Sequence, residues 1–222
     1  MMRKLFDQEL KTLNDELFSM GALVEKSIEK AINALINSNV EEAKKAIEED
    51  DKIDQAKKDI ESLCMKLLLT QQPVASDLRH ISSALKMVTD LERIGDHAAD
   101  ISEITILLSR MEYTSDLDIL KRMAVKTTEM VIRSLEAFSE GNVEKAKEVI
   151  NDDDIVDELF LNVKDNVISI ISSNPNKGGE ATDLLMIGKY FERIGDHATN
   201  IAEWAEYAIT GVHRNSEMEE HL

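Results

Sequence analysis

The seven residues Glu92-Arg93-Ile94-Gly95-Asp96-His97-Ala98 return letter for letter as Glu192-Arg193-Ile194-Gly195-Asp196-His197-Ala198, at an offset of 100 (92 to 192). A second echo sets Asn39-Val40-Glu41-Glu42-Ala43 against Asn142-Val143-Glu144-Lys145-Ala146 at an offset of 103 (39 to 142), and Asp50, Asp51 and Asp54 meet Asp153, Asp154 and Asp157 at the same spacing. Repetition at a fixed period marks a chain built from copies of one unit, each burying its apolar face against a neighbour. The chain therefore reads as two homologous halves of about 100 residues each. The second half has lost three residues between its two echoes.

Aromatic residues make up only 4%, with 2 Pro and 8 Gly in 222 residues, so a sheet would lack its usual strand and turn formers. Helical spacing is strong instead. Leu10, Leu17, Val24 and Ala31 recur every seven residues, with Leu13, Met20, Ser27 and Ala34 interleaved, predicting a helix from Arg3 to Asn37 that packs lengthwise on others. Ser38-Asn39 can cap a second helix running to Thr70, and Pro73 breaks it. A third follows from Ser76 or Asp77 to Ser109, with Ile81, Leu85, Val88, Leu91, Ile94, Ala98 and Ile101 inward. The second half predicts helices over Ser115–Phe138, Val143–Ile171 and Glu180–Ala208, with Gly141-Asn142 as a terminator. The expected fold class is all-α: two tandem three-helix bundles of six long antiparallel helices, over 1–111 and 112–210, with an acidic frayed tail over 211–222.

Forty-four acids against 26 bases leave a net charge of −18, and no block of Lys and Arg offers a hold to a phosphate backbone or an anionic lipid surface. Nucleic-acid binding is excluded on that ground. No apolar run approaches the ~20 residues of a membrane span, and Met1-Met2-Arg3-Lys4 leads into polar residues, so a soluble cytoplasmic protein is expected. The single cysteine, Cys64, lies among Leu63, Met65 and Leu67 and reads as a buried reduced thiol.

At 100° per residue Glu92, Asp96, Asp100 and Glu103 fall within about 80° of one another, opposite the apolar stripe of their helix. The second copy gives Glu192, Asp196, Asn200 and Glu203, and each second helix adds its own pair, Asp50/Asp54 and Asp153/Asp157. Like charges at i, i+4 cost a helix roughly 0.2–0.5 kcal/mol per pair, which a cation would offset. Carboxylate oxygens are hard ligands, suited to Mg, Mn, Ca or iron. The candidate metal ligands are therefore Asp50, Asp54, Glu92, Asp96 and Asp100 in the first half, and Asp153, Asp157, Glu192, Asp196 and Asn200 in the second. A solvated acidic face in a chain so rich in acids is the plainer alternative.

Gly95 and Gly195 lie beside the apolar face, where close approach of a neighbouring helix accounts for them. Arg93 and Arg193 sit just off the acids and are expected to neutralise them. His97 and His197 are potential nitrogen ligands on the shoulder of the stripe. Asp77 and His80, absent from the second half, suggest a helix-start cap with a surface imidazole. No nucleophile elbow, phosphate-cradling glycine loop, Cys/His pair or dinucleotide fingerprint is present, and Gly95 stands where a ferritin-type Glu-x-x-His would need histidine, so no enzyme is expected.

With these motifs in both copies, together with Pro73-Val74-Ala75-Ser76-Asp77-Leu78-Arg79 and Ala198-Thr199-Asn200-Ile201-Ala202-Glu203, the chain resembles the PhoU family of bacterial phosphate-uptake regulators over nearly its whole length. The resemblance implies paired three-helix bundles and metal ions (iron, manganese or magnesium, in single or multinuclear sites) on the Asp/Glu-x-x-x-Asp acids. It also implies a homodimer and negative regulation of the phosphate regulon through the phosphate ABC transporter and its sensor histidine kinase. Asn200 stands where the first copy has Asp100, which leaves the second site one charge poorer.

Overall fold

The computed structural model describes residues 2–70, 73–109 and 117–212. All regular structure in them is helical: α1 Met2–Asn37, α2 Val40–Thr70 and α3 Ala75–Leu108 form one half, and α4 Asp118–Glu140, α5 Val143–Ser173 and α6 Gly178–Thr210 the other. The expected helix start at Ser115, the division at 111/112 and the tail from residue 213 lie outside the described residues. Among the described residues no helix is long and apolar enough to cross a membrane.

The turns repeat as the helices do. Asn142 Oδ1 accepts the Lys145 N–H at 3.1 Å, and Asn39 Oδ1 accepts the Glu42 N–H at 3.1 Å, so the same amide caps the second helix of each half. Just before each cap the chain closes the preceding helix with paired bonds, Asn39 N to Ala34 O and Ser38 N to Leu35 O in one half, Asn142 N to Ala137 O and Gly141 N to Phe138 O in the other. This closure requires a left-handed residue. Gly141 supplies it at φ 64°, whereas Ser38 is held at φ 48°. Between α5 and α6 the expected irregular stretch tightens into a 3-10 turn at Pro175–Lys177, so α6 begins at Gly178, two residues earlier than its stripe suggests.

At the start of α3, Asp77 is buried in the first turn, and its carboxylate accepts the Val74 N–H at 3.4 Å. His80 is not the surface imidazole its spacing suggests. It is half-buried and stacked on Phe138 of α4 at 4.2 Å, with Nε2 2.9 Å from Asn14 Oδ1 on α1. Burial lowers its pKa, against the opposing charge of Asp77.

Each half packs its three helices around the predicted stripes. Leu13, Leu17, Met20, Ile81, Leu91 and Phe191 are fully buried, and Cys64 is buried among them. The core does not divide at the repeat boundary. Helices α3 and α6 lie along one another as extensively as any pair within a half, and one continuous apolar cluster runs through both. A Ser38→Gly substitution should relieve the left-handed strain and raise stability by about 0.5–1 kcal/mol, read as a higher urea midpoint with an unchanged m-value.

Candidate functional site

Two half-buried seams carry the repeated acids, one between α2 and α3 and one between α5 and α6. Their geometry begins with glycine. A Cβ on Gly95 would lie 2.8 Å from Ile53 Cδ1 and 3.0 Å from Asp50 Oδ1, and one on Gly195 would lie 3.2 Å from Val156 Cγ1 and 3.5 Å from Asp153 Oδ1. The missing side chain lets the neighbouring helix approach and lets an aspartate fold in beneath the motif. Six of the eight seam acids are therefore partly buried rather than fully on the solvent side, while Asp157 and Asp196 remain exposed as their angular position suggests. They sit at the rim of the interface.

In the first seam Asp50, Asp54, Glu92 and Asp96 act on one another. Burial, then the charges of Asp96, Asp54 and Glu92, push the Asp50 carboxyl up to about 6, and burial with Glu92 raises Asp96 against its Arg93 hydrogen bond. In the second seam burial, then Asp196 and Asp157, bring Asp153 up to about 6, and burial with Glu192 raises Asp196. Asp50 Oδ1 and Glu92 Oε2 are buried with no hydrogen-bond partner. Such orphaned oxygens are the atoms a cation would satisfy.

Other members of the set are engaged. Lys57 Nζ donates to Glu92 Oε1 at 2.9 Å, Arg93 Nη1 to Asp96 Oδ2 at 2.9 Å, and Lys189 to Glu192. Arg93 thus neutralises its stripe as expected, whereas Arg193 pairs with neither Glu192 nor Asp196 and lies instead toward His97 and Tyr190. Among the described residues no three His, Cys, Asp or Glu side chains are grouped so as to hold a metal. The donor set fits a hard cation by chemistry and by its orphaned oxygens, provided that Glu92 and Asp96 turn from their lysine and arginine partners.

Asp100 and Asn200 are placed elsewhere, at the crossing of α3 and α6. His197 Nδ1 lies 2.8 Å from Asp90 Oδ1, and Asn200 Nδ2 donates to the same oxygen at 3.2 Å. Across the crossing, His97 Nδ1 is 3.4 Å from Asp100 Oδ2, with Tyr190 over the His97 ring at 5.4 Å and Asp100 beside the Tyr190 phenol. Positions 90, 97 and 100 thus meet 190, 197 and 200 about a pseudo-twofold axis, with the two imidazoles 5.6 Å apart. The Asp-to-Asn difference that sequence comparison assigned to a poorer metal site has a nearer cause. Opposite Asp90 a donor is needed, and Asn200 supplies it; opposite Tyr190 a carboxylate is tolerated, and Asp100 occupies that place. Asp90 went unrecognised as a site residue because the repeat aligns it with Tyr190, and only the crossing reveals what the exchange does.

Two measurements check this geometry. The raised carboxyls bind protons more tightly folded than unfolded, where aspartate titrates near ~3.9, so their cost to stability sets in as pH rises from about 4 to about 6 and is complete at neutrality. With chelator present, Asp50→Asn should raise unfolding free energy at pH 7 by about 0.5–1 kcal/mol once solvent screening is allowed for, with the gain gone below pH 4. At the crossing, Asn200→Asp should lower stability by about 1 kcal/mol by opposing two carboxylates, and adding Asp90→Asn should recover much of the loss, a non-additivity read from a double-mutant cycle.

The model for the PhoU domain matches residues 17–105 and 120–205, one copy in each half. The phosphate-specific transport system accessory protein PhoU homolog of Clostridium acetobutylicum is 40% identical over 215 residues, spanning 95% of this chain and 97% of that protein, and the Borreliella burgdorferi protein of the same description is 34% identical over 91% and 94%. The crystal structure of PhoU from Pseudomonas aeruginosa superimposes with a TM-score of 0.88 at 33% identity, covering 93% of this chain and 100% of that one. The phosphate transport system regulatory protein PhoU from Streptococcus pneumoniae gives 0.86 at 31% identity, over 94% and 98%.

Proposed function

The chain belongs to the PhoU family, and on that premise we propose that it regulates phosphate transport as a cytoplasmic, metal-binding adaptor of the phosphate ABC transporter and its sensor histidine kinase. It restrains phosphate uptake and the phosphate regulon through binding, with no chemistry of its own, and works as a homodimer. The observation that carries the metal component is the buried Asp50 oxygen without a hydrogen-bond partner in the first seam, with the acids of both seams raising one another.

Asp50, Asp54, Glu92 and Asp96 would hold an ion in the first half, and Asp153, Asp157, Glu192 and Asp196 in the second. Iron, manganese or magnesium supplies positive charge that inverts the field of a carboxylate surface and so lets it meet a phosphate or an acidic partner. The residues supply the rest: Gly95 and Gly195 hold each helix pair close, and the partly buried seams limit hydration of the acids. A second reading, an acidic scaffold that binds partners without metal, is favoured by the Lys57–Glu92 and Arg93–Asp96 pairs. In that case the acids are a charged rim that steers a basic partner.

Metal content separates the two. Protein purified without chelator should carry iron or manganese that falls by about half in Asp96→Ala and again in Asp96→Ala/Asp196→Ala, measured by elemental analysis on samples of matched helicity. Unchanged metal content in the double variant would sink the ligand assignment, and equal affinity of stripped and loaded protein for the transporter's cytoplasmic subunit would favour the scaffold.

A further inference from the structure

The imidazoles that meet at the pseudo-twofold axis belong to neither acid seam. In each, Nδ1 is engaged by an aspartate, Asp100 for His97 at 3.4 Å and Asp90 for His197 at 2.8 Å, while among the described residues neither Nε2 has a hydrogen-bond partner. A carboxylate on Nδ1 fixes the tautomer that leaves Nε2 as a lone-pair donor, the arrangement found behind histidines that ligate metals.

Separation supports the same conclusion. An imidazole nitrogen bound at about 2.0–2.1 Å puts the ring centroid about 3.2 Å from an ion, so two rings at a tetrahedral angle stand about 5.2 Å apart. Here the centroids are 5.6 Å apart, the planes are inclined at 33°, and the side chains are 15% and 21% exposed, so the rings are reachable from solvent. Asp90 and Asp100 set two negative charges beside the pair, with Arg193 near His97.

We propose that His97 and His197 form a two-imidazole site for a borderline divalent ion such as Zn2+, Ni2+ or Cu2+, shared between the two repeats, with water completing the shell. The site differs in kind from the carboxylate seams. Imidazole selects these ions, whereas magnesium and calcium prefer oxygen. It also differs in place, because each repeat contributes one ligand and the ion clamps α3 to α6.

The test uses the full chain, stripped with chelator and then held in excess Mg2+ to occupy the carboxylates, and titrated with Cu2+. One equivalent should bind with nitrogen hyperfine structure in the electron paramagnetic resonance spectrum, and Zn2+ should displace it. His97→Gln and His197→Gln should each reduce the two-nitrogen pattern to one nitrogen and weaken binding at least tenfold, and the double variant should abolish it, with helicity unchanged by circular dichroism. Asp90→Asn, which touches no ion, should weaken binding by roughly tenfold through the freed ring. An oxygen-only spectrum, or a nitrogen signature that survives in His97→Gln/His197→Gln and so arises at His80, His213 or His221, overturns the proposal. So does loss of binding in Asp96→Ala/Asp196→Ala with the imidazoles intact, since that would return the ion to the seams.

Discussion

Apolar packing between α3 and α6 is the interaction on which the rest of the molecule depends. Each is the innermost helix of its half, and residues such as Leu91, Ile94, Phe191 and Ile194 are fully buried, each contributing about 1.5–3 kcal/mol relative to exposure. Because the halves share this core, neither repeat has an apolar face to itself. The acid-bearing seams form where α2 and α5 close over the flanks of the same two helices. The paired histidines therefore sit on the axis of this contact and the repeated carboxylates in the seams that flank it.

Glycine makes that rim possible. A methyl at Gly95 would strike Ile53 and crowd Asp50, while at Gly195 the clearances are several tenths of an ångström greater. The tighter seam is also the one in which Asp50 Oδ1 and Glu92 Oε2 are buried without a hydrogen-bond partner. Close approach of the helices and the strain on the acids are one fact seen twice, since the distance that buries Ile53 also removes water from Asp50. An ion binding there would draw on free energy already stored in the fold, as a raised carboxyl pKa, and would not need to create it on arrival.

Much of this was legible in the chain. The duplication, the six helices, the glycine-mediated approach and the buried Cys64 followed from periodicity and spacing, because each is a property of one helix face. What escaped depended on two helices at once. The angular argument put the acids on the solvent side, which holds for Asp157 and Asp196 but misses the partial burial of the other six, since a helical wheel shows the direction of a side chain and not the neighbour that leans over it. His80 was read as exposed because nothing near it in sequence announces Phe138 and Asn14, which arrive from α4 and α1. Asp100 and Asn200 were grouped with the other acids by their four-residue spacing, although one further turn along α3 or α6 carries the side chain from the seam to the crossing.

The divergence between the copies follows the same line. At the seams the four acids are kept in register, Asp50, Asp54, Glu92 and Asp96 against Asp153, Asp157, Glu192 and Asp196, while at the crossing position 90 and 190 differ, and so do 100 and 200. These changes are complementary. Asp90 in one copy faces an amide and an imidazole from the other, and Tyr190 faces the imidazole and the carboxylate that replaced that amide. Of these positions only the histidines meet their own counterparts; position 90 faces 200 and position 190 faces 100, so carboxylates at both 90 and 200, or at both 100 and 190, would repel. In this duplicated chain each exchange at the crossing is matched by one in the residue that faces it, while the flanking seams keep the repeat, so these departures lie where the two halves touch.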